Sequence, residues 1–180
     1  SLEWIGPPEW GAPDGRTVAR EQRTTSLRFV DGDTDGQAAF LIDVVSTLSP
    51  TEWSLKIGPT RHAFFGIRLV EPLRPALGGQ LAGPGGPTSV ADLVGKSGPW
   101  VQASADVVAG HTAGIVVVRD QQTREMPWSL YEWGTIDVNP LVSHTHELAQ
   151  DDSLTCRLKL IVHDGQYSTE QIDRLTRLQA

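Results

Sequence analysis

The stretch that decides the fold is WVQASADVVAGHTAGIVVVRDQQTREMPWSLYEWGTIDVNP, residues 100–140. Within it, residues 100–108 alternate between two kinds of side chain, and residues 113–119 are apolar on both faces, as is typical of β-strands. The Gly-His-Thr-Ala-Gly segment between them predicts a turn. An aromatic segment, residues 127–134, follows, and Asn139-Pro140 ends the stretch. Half of the six tryptophans lie here.

The rest of the chain repeats this pattern of short strands and turns. A helix is expected at the C-terminal end, because Ser168 is a suitable N-cap and Gln171 completes a capping box three residues later. The sum predicts an all-β protein, a twisted antiparallel β-sandwich with one C-terminal helix, for which a mutarotase-like supersandwich is one possible form. Further strands are expected at residues 16–30, 37–48, 52–57, 61–71 and 154–163.

The chain is expected to form a single β-sandwich domain over residues 1–180, the C-terminal part of a longer family fold. Residues 1–15 show no periodicity and predict an irregular lead-in. Residues 72–99 are rich in glycine and proline and predict a long loop, either a flap over a cleft or a disordered segment. They do not form a linker, because neither side could bury its strands alone.

Composition excludes several classes of function. The formal net charge of −7 disfavours a nucleic-acid or anionic-membrane partner, since both need a basic patch. No apolar run is long enough to span a membrane. Cys156 is the single cysteine, which rules out an intrachain disulfide and a cysteine-based zinc site. It is expected in the core, and a cytoplasmic location is predicted, with a removed leader left open.

Two residues are candidates for acid-base chemistry. His111 lies between Gly110 and Gly114, so its backbone can approach a ligand closely, and an imidazole suits proton transfer near neutral pH. Glu132 is framed by aromatic residues, which would raise the pKa of its carboxyl group. A carboxylate beside aromatic rings is also typical of a sugar site. The structural alternative for Glu132 is a carboxylate at the rim of an aromatic core.

The binding candidates are one arginine, three tryptophans and one asparagine. Arg68 lies inside an apolar strand, so it either pairs with Glu71 or Asp43 or binds anions or hydroxyls in a cleft. Trp100 shares a largely polar face with residues 102, 104 and 106, which suits a binding surface or a plain solvent face. The remaining candidates would stack on a ligand or bind its hydroxyls: Trp128, Trp133 and Asn139.

His144 and His146 are weak candidates for a metal site. The two imidazoles would lie on one side of an extended segment and could bind a divalent metal with Glu147 or His111. The alternative is a solvated loop. No cofactor is predicted. If this histidine pair bound a cofactor, it would be a divalent metal ion.

Four motifs together resemble the bacterial family named "methane oxygenase PmoA-like": FFGIRLVEPL, GPWVQASADVVAGHTAGIVVVRD, MPWSLYEWGTIDVNP and LKLIVHDG. The resemblance covers roughly residues 16–178. It implies a β-sandwich and a mutarotase-like role directed at carbohydrate, but not methane oxidation. Matching positions include Gly66, Arg68, Trp100, Gly110, Gly114, Pro127-Trp128, Gly134, Asn139-Pro140 and His163-Asp164-Gly165.

The chain also departs from the pattern of that family. Asp120-Gln121-Gln122 stands where an Asp-His-Pro is typical, and Ser129 and Tyr131 stand near a usual histidine and arginine. Three hypotheses therefore remain open: a carbohydrate- or polyol-directed protein that modifies sugars, a non-catalytic binding domain or partner subunit, and a metal-dependent oxygenase. The expected partners are a sugar-like small molecule and a second chain or copy that completes the sheet.

Overall fold

The structure is a computed structural model that describes residues 2–5, 17–30, 39–60, 64–120, 123 and 125–177; for residues 2–5 and 177 it describes the backbone alone. The thirteen strands are β1 (Leu2–Ile5), β2 (Thr17–Val30), β3 (Ala39–Pro50), β4 (Leu55–Ile57), β5 (Phe65–Arg68), β6 (Gln80–Gly83), β7 (Gly86–Thr88), β8 (Trp100–Val108), β9 (His111–Arg119), β10 (Trp128–Tyr131), β11 (Thr135–Val138), β12 (His146–Leu148) and β13 (Leu154–Asp164). The helices are α1 (Val90–Leu93) and α2 (Thr169–Arg177), and short 3-10 turns occupy Glu71–Leu73 and Pro75–Leu77.

Eight strands form one large sheet in the order β1-β2-β3-β13-β9-β8-β6-β7. A three-stranded sheet has the order β10-β11-β5, and β12 pairs with β4. Every pairing is antiparallel. The all-β antiparallel prediction is therefore confirmed, together with the C-terminal helix.

The main core lies between the large sheet and the three-stranded sheet. On β13, Cys156, Leu158 and Leu160 point to this side, as the alternation of the sequence predicts. They pack with residues of β5, β10 and β11, among them Phe65, Trp128, Leu130, Ile136 and Val138. Cys156 is buried, as expected, and burial raises the pKa of its thiol to about 12.

Helix α2 covers part of the opposite face of the large sheet. Ile172 is fully buried against Val116, Ile161 and Trp100. The predicted capping box is present, because the Gln171 amide N–H donates to Ser168 Oγ (3.3 Å) and the Ser168 amide N–H donates to Gln171 Oε1 (2.8 Å). The helix therefore begins where the sequence predicts, and its apolar stripe faces the sheet.

Two predictions of irregular structure are wrong. Leu2–Ile5, within the expected lead-in, pairs with β2 as an edge strand; the rest of 1–15 lies outside the described residues. The expected loop at 72–99 contains β6, β7 and α1, and β6–β7 extends the large sheet beyond β8. Glycine and proline there mark the tight turns between short elements, such as Gly78 at a φ of 98°.

Some expected strands are shorter than the sequence suggests. The strand expected at 61–71 is reduced to Phe65–Arg68, with residues 61–63 outside the described part, and the strand expected at 52–57 is reduced to Leu55–Ile57. Among the described residues, no helix is long and apolar enough to cross a membrane.

Candidate functional site

A groove of about 820 Å³ lies on the face of the large sheet that carries α2, beside the helix. Its floor includes Gln80 of β6 and Gln102 and Ser104 of β8, which neighbour one another in the register of these strands. The chain leading into α2 forms one wall, from Gln166 to Thr169, and the residues opposite include Pro75, Thr88 and Glu132. The volume falls within the usual range for small-molecule sites.

A second cleft of about 420 Å³ shares Gln80, Ser104 and Gln166 with the groove. It reaches Asp106 at the far end of β8 and Thr112 at the start of β9. Thr112 Oγ1 donates to Asp106 Oδ1 at 2.6 Å, which fixes that carboxylate. The two clefts thus form one polar surface along the outer face of β8.

Gln102, which lines the groove, is paired with the buried His163. Both side chains are at least 95 % buried, with 5 % and 2 % of their surfaces exposed. Gln102 Nε2 lies 3.1 Å from His163 Nε2, and because an amide NH₂ group can only donate, the imidazole nitrogen accepts. Gln102 lines the groove, and its Oε1 then remains as an acceptor with no donor to it among the described residues.

His163 is held by stacking and by close packing. Its ring stacks on Tyr167 with centroids 4.0 Å apart. Burial lowers the pKa of the imidazole, opposed in part by the backbone at Asp164 and Gly165 and by the Asp164 carboxylate. His163 is therefore neutral near pH 7, as a hydrogen-bond acceptor must be. Its Nδ1 has no hydrogen-bond partner within the described part of the chain.

The predicted acid-base and anion-binding residues do not share one cleft. Glu132 is exposed and lines the groove. His111 is exposed at the start of β9, where its Nε2 lies 3.2 Å from Asp164 Oδ1. Arg68 lies elsewhere, with Cζ 5.3 Å from the ring centroid of Trp133. Neither alternative for its ion pair is present, because Asp43 pairs with Arg157 at 3.1 Å and Glu71 lies 3.7 Å from Arg74.

Trp133 is the one predicted stacking residue with an accessible ring. It is 48 % exposed and stacks on Tyr131 with centroids 5.4 Å apart. Tyr131, Thr135 and Arg68 lie side by side across β10, β11 and β5. This cluster is on the outer face of the three-stranded sheet and does not line the groove.

The other three predicted binding residues are buried. Trp100 is 1 % exposed beneath α2, and its indole N–H donates to Asp173 Oδ1 at 2.8 Å. Trp128, also 1 % exposed, lies under the Arg119 guanidinium at 4.3 Å. Asn139 is fully buried, and its side chain bonds the carbonyl of Thr60 and the amide of Leu141. In this structure all three support the fold and offer no surface to a ligand.

The histidine pair expected to bind metal lies in and before the short strand β12. His144 is exposed, and its Nδ1 lies 2.8 Å from Ser143 Oγ. His146 is half-buried and pairs with Ile57 in the register of β12 and β4. Across the described ranges, no group of three or more histidine, cysteine, aspartate or glutamate side chains is placed to hold a metal ion.

A buried acid on the three-stranded sheet was not among the candidates. Asp137 of β11 is 2 % exposed, and burial raises the pKa of its carboxyl group from 3.8 to about 6, with the Thr135 hydroxyl opposing the shift. It lies opposite Gly66 of β5, where a Cβ atom would stand 2.2 Å from Asp137 Oδ1. The same Cβ atom would also clash with the backbone of Ile136 and Asp137, so position 66 admits only glycine.

The sequence carried a partial signal for the groove. The alternation of residues 100–108 correctly places Gln102, Ser104 and Asp106 on one face with Trp100. The role of His163 had a weaker signal, because its position two residues after Ile161 puts it on the face opposite Leu158 and Leu160. Gln80 and Gln166 lie in segments without periodicity, so no pattern indicated them.

The family described as "Family of unknown function (DUF6807)" matches residues 1–177 of the chain. No curated protein and no solved structure matches the chain.

Proposed function

The chain belongs to the family of unknown function DUF6807, and on that premise we propose that it binds a neutral carbohydrate or polyol in the groove beside α2. The observation that carries the proposal is the pair of Gln102 and His163, in which a buried imidazole holds the amide of a groove-lining side chain and leaves the amide oxygen without a donor among the described residues. A fixed acceptor selects a ligand that carries a hydroxyl group, because a ligand without a donor would leave the amide oxygen without a hydrogen bond, which costs free energy.

The chemistry of the lining favours hydroxyls over charged groups. Amide and hydroxyl side chains both donate and accept, which matches the hydroxyl groups of a polyol. Those described along the groove are Gln80, Thr88, Ser89, Gln102, Ser104, Gln166, Tyr167, Ser168 and Thr169. The charged residues described along the two clefts are Glu132 and Asp106, both acidic. A phosphorylated sugar would therefore be repelled, and a neutral sugar would not.

Binding without catalysis is the form of the proposal that the lining of the groove favours. Arg68, His111 and Glu132 would have to converge for the acid-base mechanism that the sequence suggested, and none of the described clefts is lined by more than one of them. Glu132 alone borders the groove. The resemblance to PmoA-like proteins, which implies a carbohydrate-directed role, agrees with the choice of ligand.

Saturation-transfer NMR and calorimetry with glucose, galactose, myo-inositol and glucose 6-phosphate test the proposal. We expect at least one neutral compound to bind and glucose 6-phosphate to bind more weakly than glucose. Gln102→Met removes the fixed acceptor and Ser104→Ala removes a hydroxyl from the floor, so each should weaken binding by about tenfold. Gln150→Met, at an exposed turn outside the groove, is the matched control.

Two outcomes would overturn this function. Either none of the neutral compounds binds, or binding survives both groove variants at the strength of the Gln150→Met control. The rate of anomer exchange of glucose, followed by NMR with catalytic amounts of protein, separates binding from the mutarotase-like alternative. An acceleration that Glu132→Gln abolishes would replace the binding proposal with the enzymatic one.

A further inference from the structure

A cleft of about 470 Å³ opens between the large sheet and strand β4, on the sheet face opposite the groove. Apolar residues of β2, β3 and β13 form its floor, and residues of β4 and the start of β5 form its roof. The apolar lining consists of Val18, Ala19, Leu48, Leu55, Ile57, Phe64, Phe65, Leu154 and Cys156. Both walls belong to this chain, so the cleft is partly enclosed and is not simply an exposed face of the sheet.

Three polar side chains meet on the floor of this cleft. Glu21 is 3 % exposed, and its Oε1 accepts from Ser46 Oγ at 2.6 Å and from Arg23 Nε at 2.8 Å. Arg23 Nη2 lies 2.5 Å from the same oxygen. A buried carboxylate and its arginine contribute little to stability, because desolvation offsets their attraction. A binding role explains why the pair is kept on an otherwise apolar floor.

Arg23 has donors left for a ligand. A guanidinium carries five N–H groups, and two of its nitrogens, Nε and Nη2, are directed at Glu21. Its side chain is 47 % exposed, and no second described residue accepts from it. Arg23 also borders a smaller cavity of about 110 Å³ that shares Phe64 and Phe65 with the cleft. Arg23 is thus a polar side chain that lines both the cleft and the smaller cavity.

The cations on the lining of the cleft are Arg23 and Lys56, and each is paired with a carboxylate. Glu21 and Arg23 balance each other, and Lys56 of β4 adds a further cation at the lining, paired with Glu147 at 2.8 Å but 73 % exposed. In a chain with a net charge of −7, a cleft without an unpaired acid among its described lining residues favours an anionic head group. A carboxylate fits the planar fork of an arginine with two parallel hydrogen bonds.

We propose that this cleft binds a medium-length alkyl carboxylate, with the carboxylate on Arg23 and the chain along the apolar floor between the sheet and β4. The site is separate from the polar groove and does not depend on what the groove binds. A free molecule is the occupant that fits, because the cleft is enclosed by the chain on two sides. An inserted peptide segment is the alternative that the test must reject.

Titration with hexanoate, octanoate and decanoate, followed by methyl NMR and calorimetry, tests the site directly. Decanoate should shift the methyl signals of Leu48, Leu154 and Ile57, and those of Ile172 and Leu175 beside α2 should stay unchanged. Each two added methylenes should tighten binding by about tenfold until the chain fills the cleft. Decyltrimethylammonium, with an alkyl chain one carbon longer and the opposite charge, should bind at least tenfold more weakly than decanoate.

Arg23→Gln should weaken decanoate binding by about tenfold or more, and Arg28→Gln, at an exposed position of the same strand, should leave it unchanged. Because Arg23→Gln removes a cation that pairs with the buried Glu21, Glu21→Gln/Arg23→Gln is the second variant, which keeps both side chains neutral and should lose binding equally. The proposal is overturned if decanoate shifts no cleft methyl signal. Equal binding of decanoate and decyltrimethylammonium, or no loss of binding in the double variant, would also overturn it.

Discussion

Gly114 lies directly opposite His163 in the pairing of β9 with β13, and the imidazole ring occupies the space that a side chain at position 114 would need. A Cβ atom there would stand 2.7 Å from both Cε1 and Nε2 of the ring and 3.0 Å from the carbonyl oxygen of Ala103. The glycine is therefore required by a close approach in the middle of a strand, where glycine otherwise weakens the sheet. It fixes the position of the ring that orients Gln102.

Gly114→Ala should displace the His163 ring and with it the amide of Gln102. Overpacking of this kind typically lowers the free energy of unfolding by about 1–3 kcal/mol, and urea denaturation measures it. Gly83→Ala in β6 is the matched control, because its Cβ would meet nothing closer than 3.8 Å. Equal stability of the two variants would show that the ring moves aside at no cost.

Asp137→Asn should abolish a loss of stability that the protein suffers as pH rises. The folded protein binds the Asp137 proton more tightly than the unfolded chain does, so stability is full below the unfolded pKa and falls as pH rises through the folded pKa. A rise from 3.8 to about 6 corresponds to about 3 kcal/mol above that window. Urea midpoints between about pH 4 and 7 test this prediction.

The matched control for Asp137 is Asp151→Asn, at an exposed turn, which should leave the pH profile of the wild type unchanged. The neutral amide at position 137 should make the variant more stable than the wild type near pH 7 and flatten the profile between pH 4 and 6. A variant with the same slope as the wild type would mean that Asp137 ionises freely.

Ser168→Ala should destabilise α2 through its N-terminus. The Ser168 hydroxyl accepts a hydrogen bond from the backbone N–H of Gln171, and loss of an N-cap side chain typically costs about 1 kcal/mol. Because Ile172 is buried by this helix, the cost should appear in global unfolding by urea. Ser143→Ala, at an exposed position outside any helix, is the control. Equal unfolding midpoints would mean that the first turn of α2 does not contribute to global stability.

The fold was predictable wherever one face of a strand is buried and the other is not. The alternation in 154–163 predicts β13 and the inward positions of Cys156, Leu158 and Leu160, because side chains in a strand have a period of two. It could not predict that the other face is also covered, by α2 at Ile161 and by Tyr167 at His163. The pairing order of the sheet depends on contacts between distant segments, which no local pattern encodes.

The candidate site was less predictable, for a reason that the tryptophans illustrate. Composition cannot distinguish a ring that stacks on a ligand from one that fills a core, since both are large aromatic side chains beside polar residues. Trp100 and Trp128 proved to be buried, and Trp133 is exposed. Gln102 was placed on the correct face, but the fixed orientation of its amide requires His163, which is 61 residues away in the sequence.

His163→Gln should reduce the loss of stability on mild acidification. Burial lowers the pKa of His163 below its ordinary value of 6.5, so its contribution to stability is present above that pH and is lost as pH falls through the folded pKa. Asp137 acts with the opposite sign between about pH 4 and 6, so the comparison is clearest from about pH 7.5 to 6.

Over that range urea midpoints should fall for the wild type and for a His144→Gln control at an exposed histidine. They should fall less for His163→Gln, although glutamine at 163 lowers stability at neutral pH by removing the ring that stacks on Tyr167. An equal fall in the wild type and in His163→Gln would show that the buried imidazole is protonated in the folded protein, and Gln102 could then not donate to it.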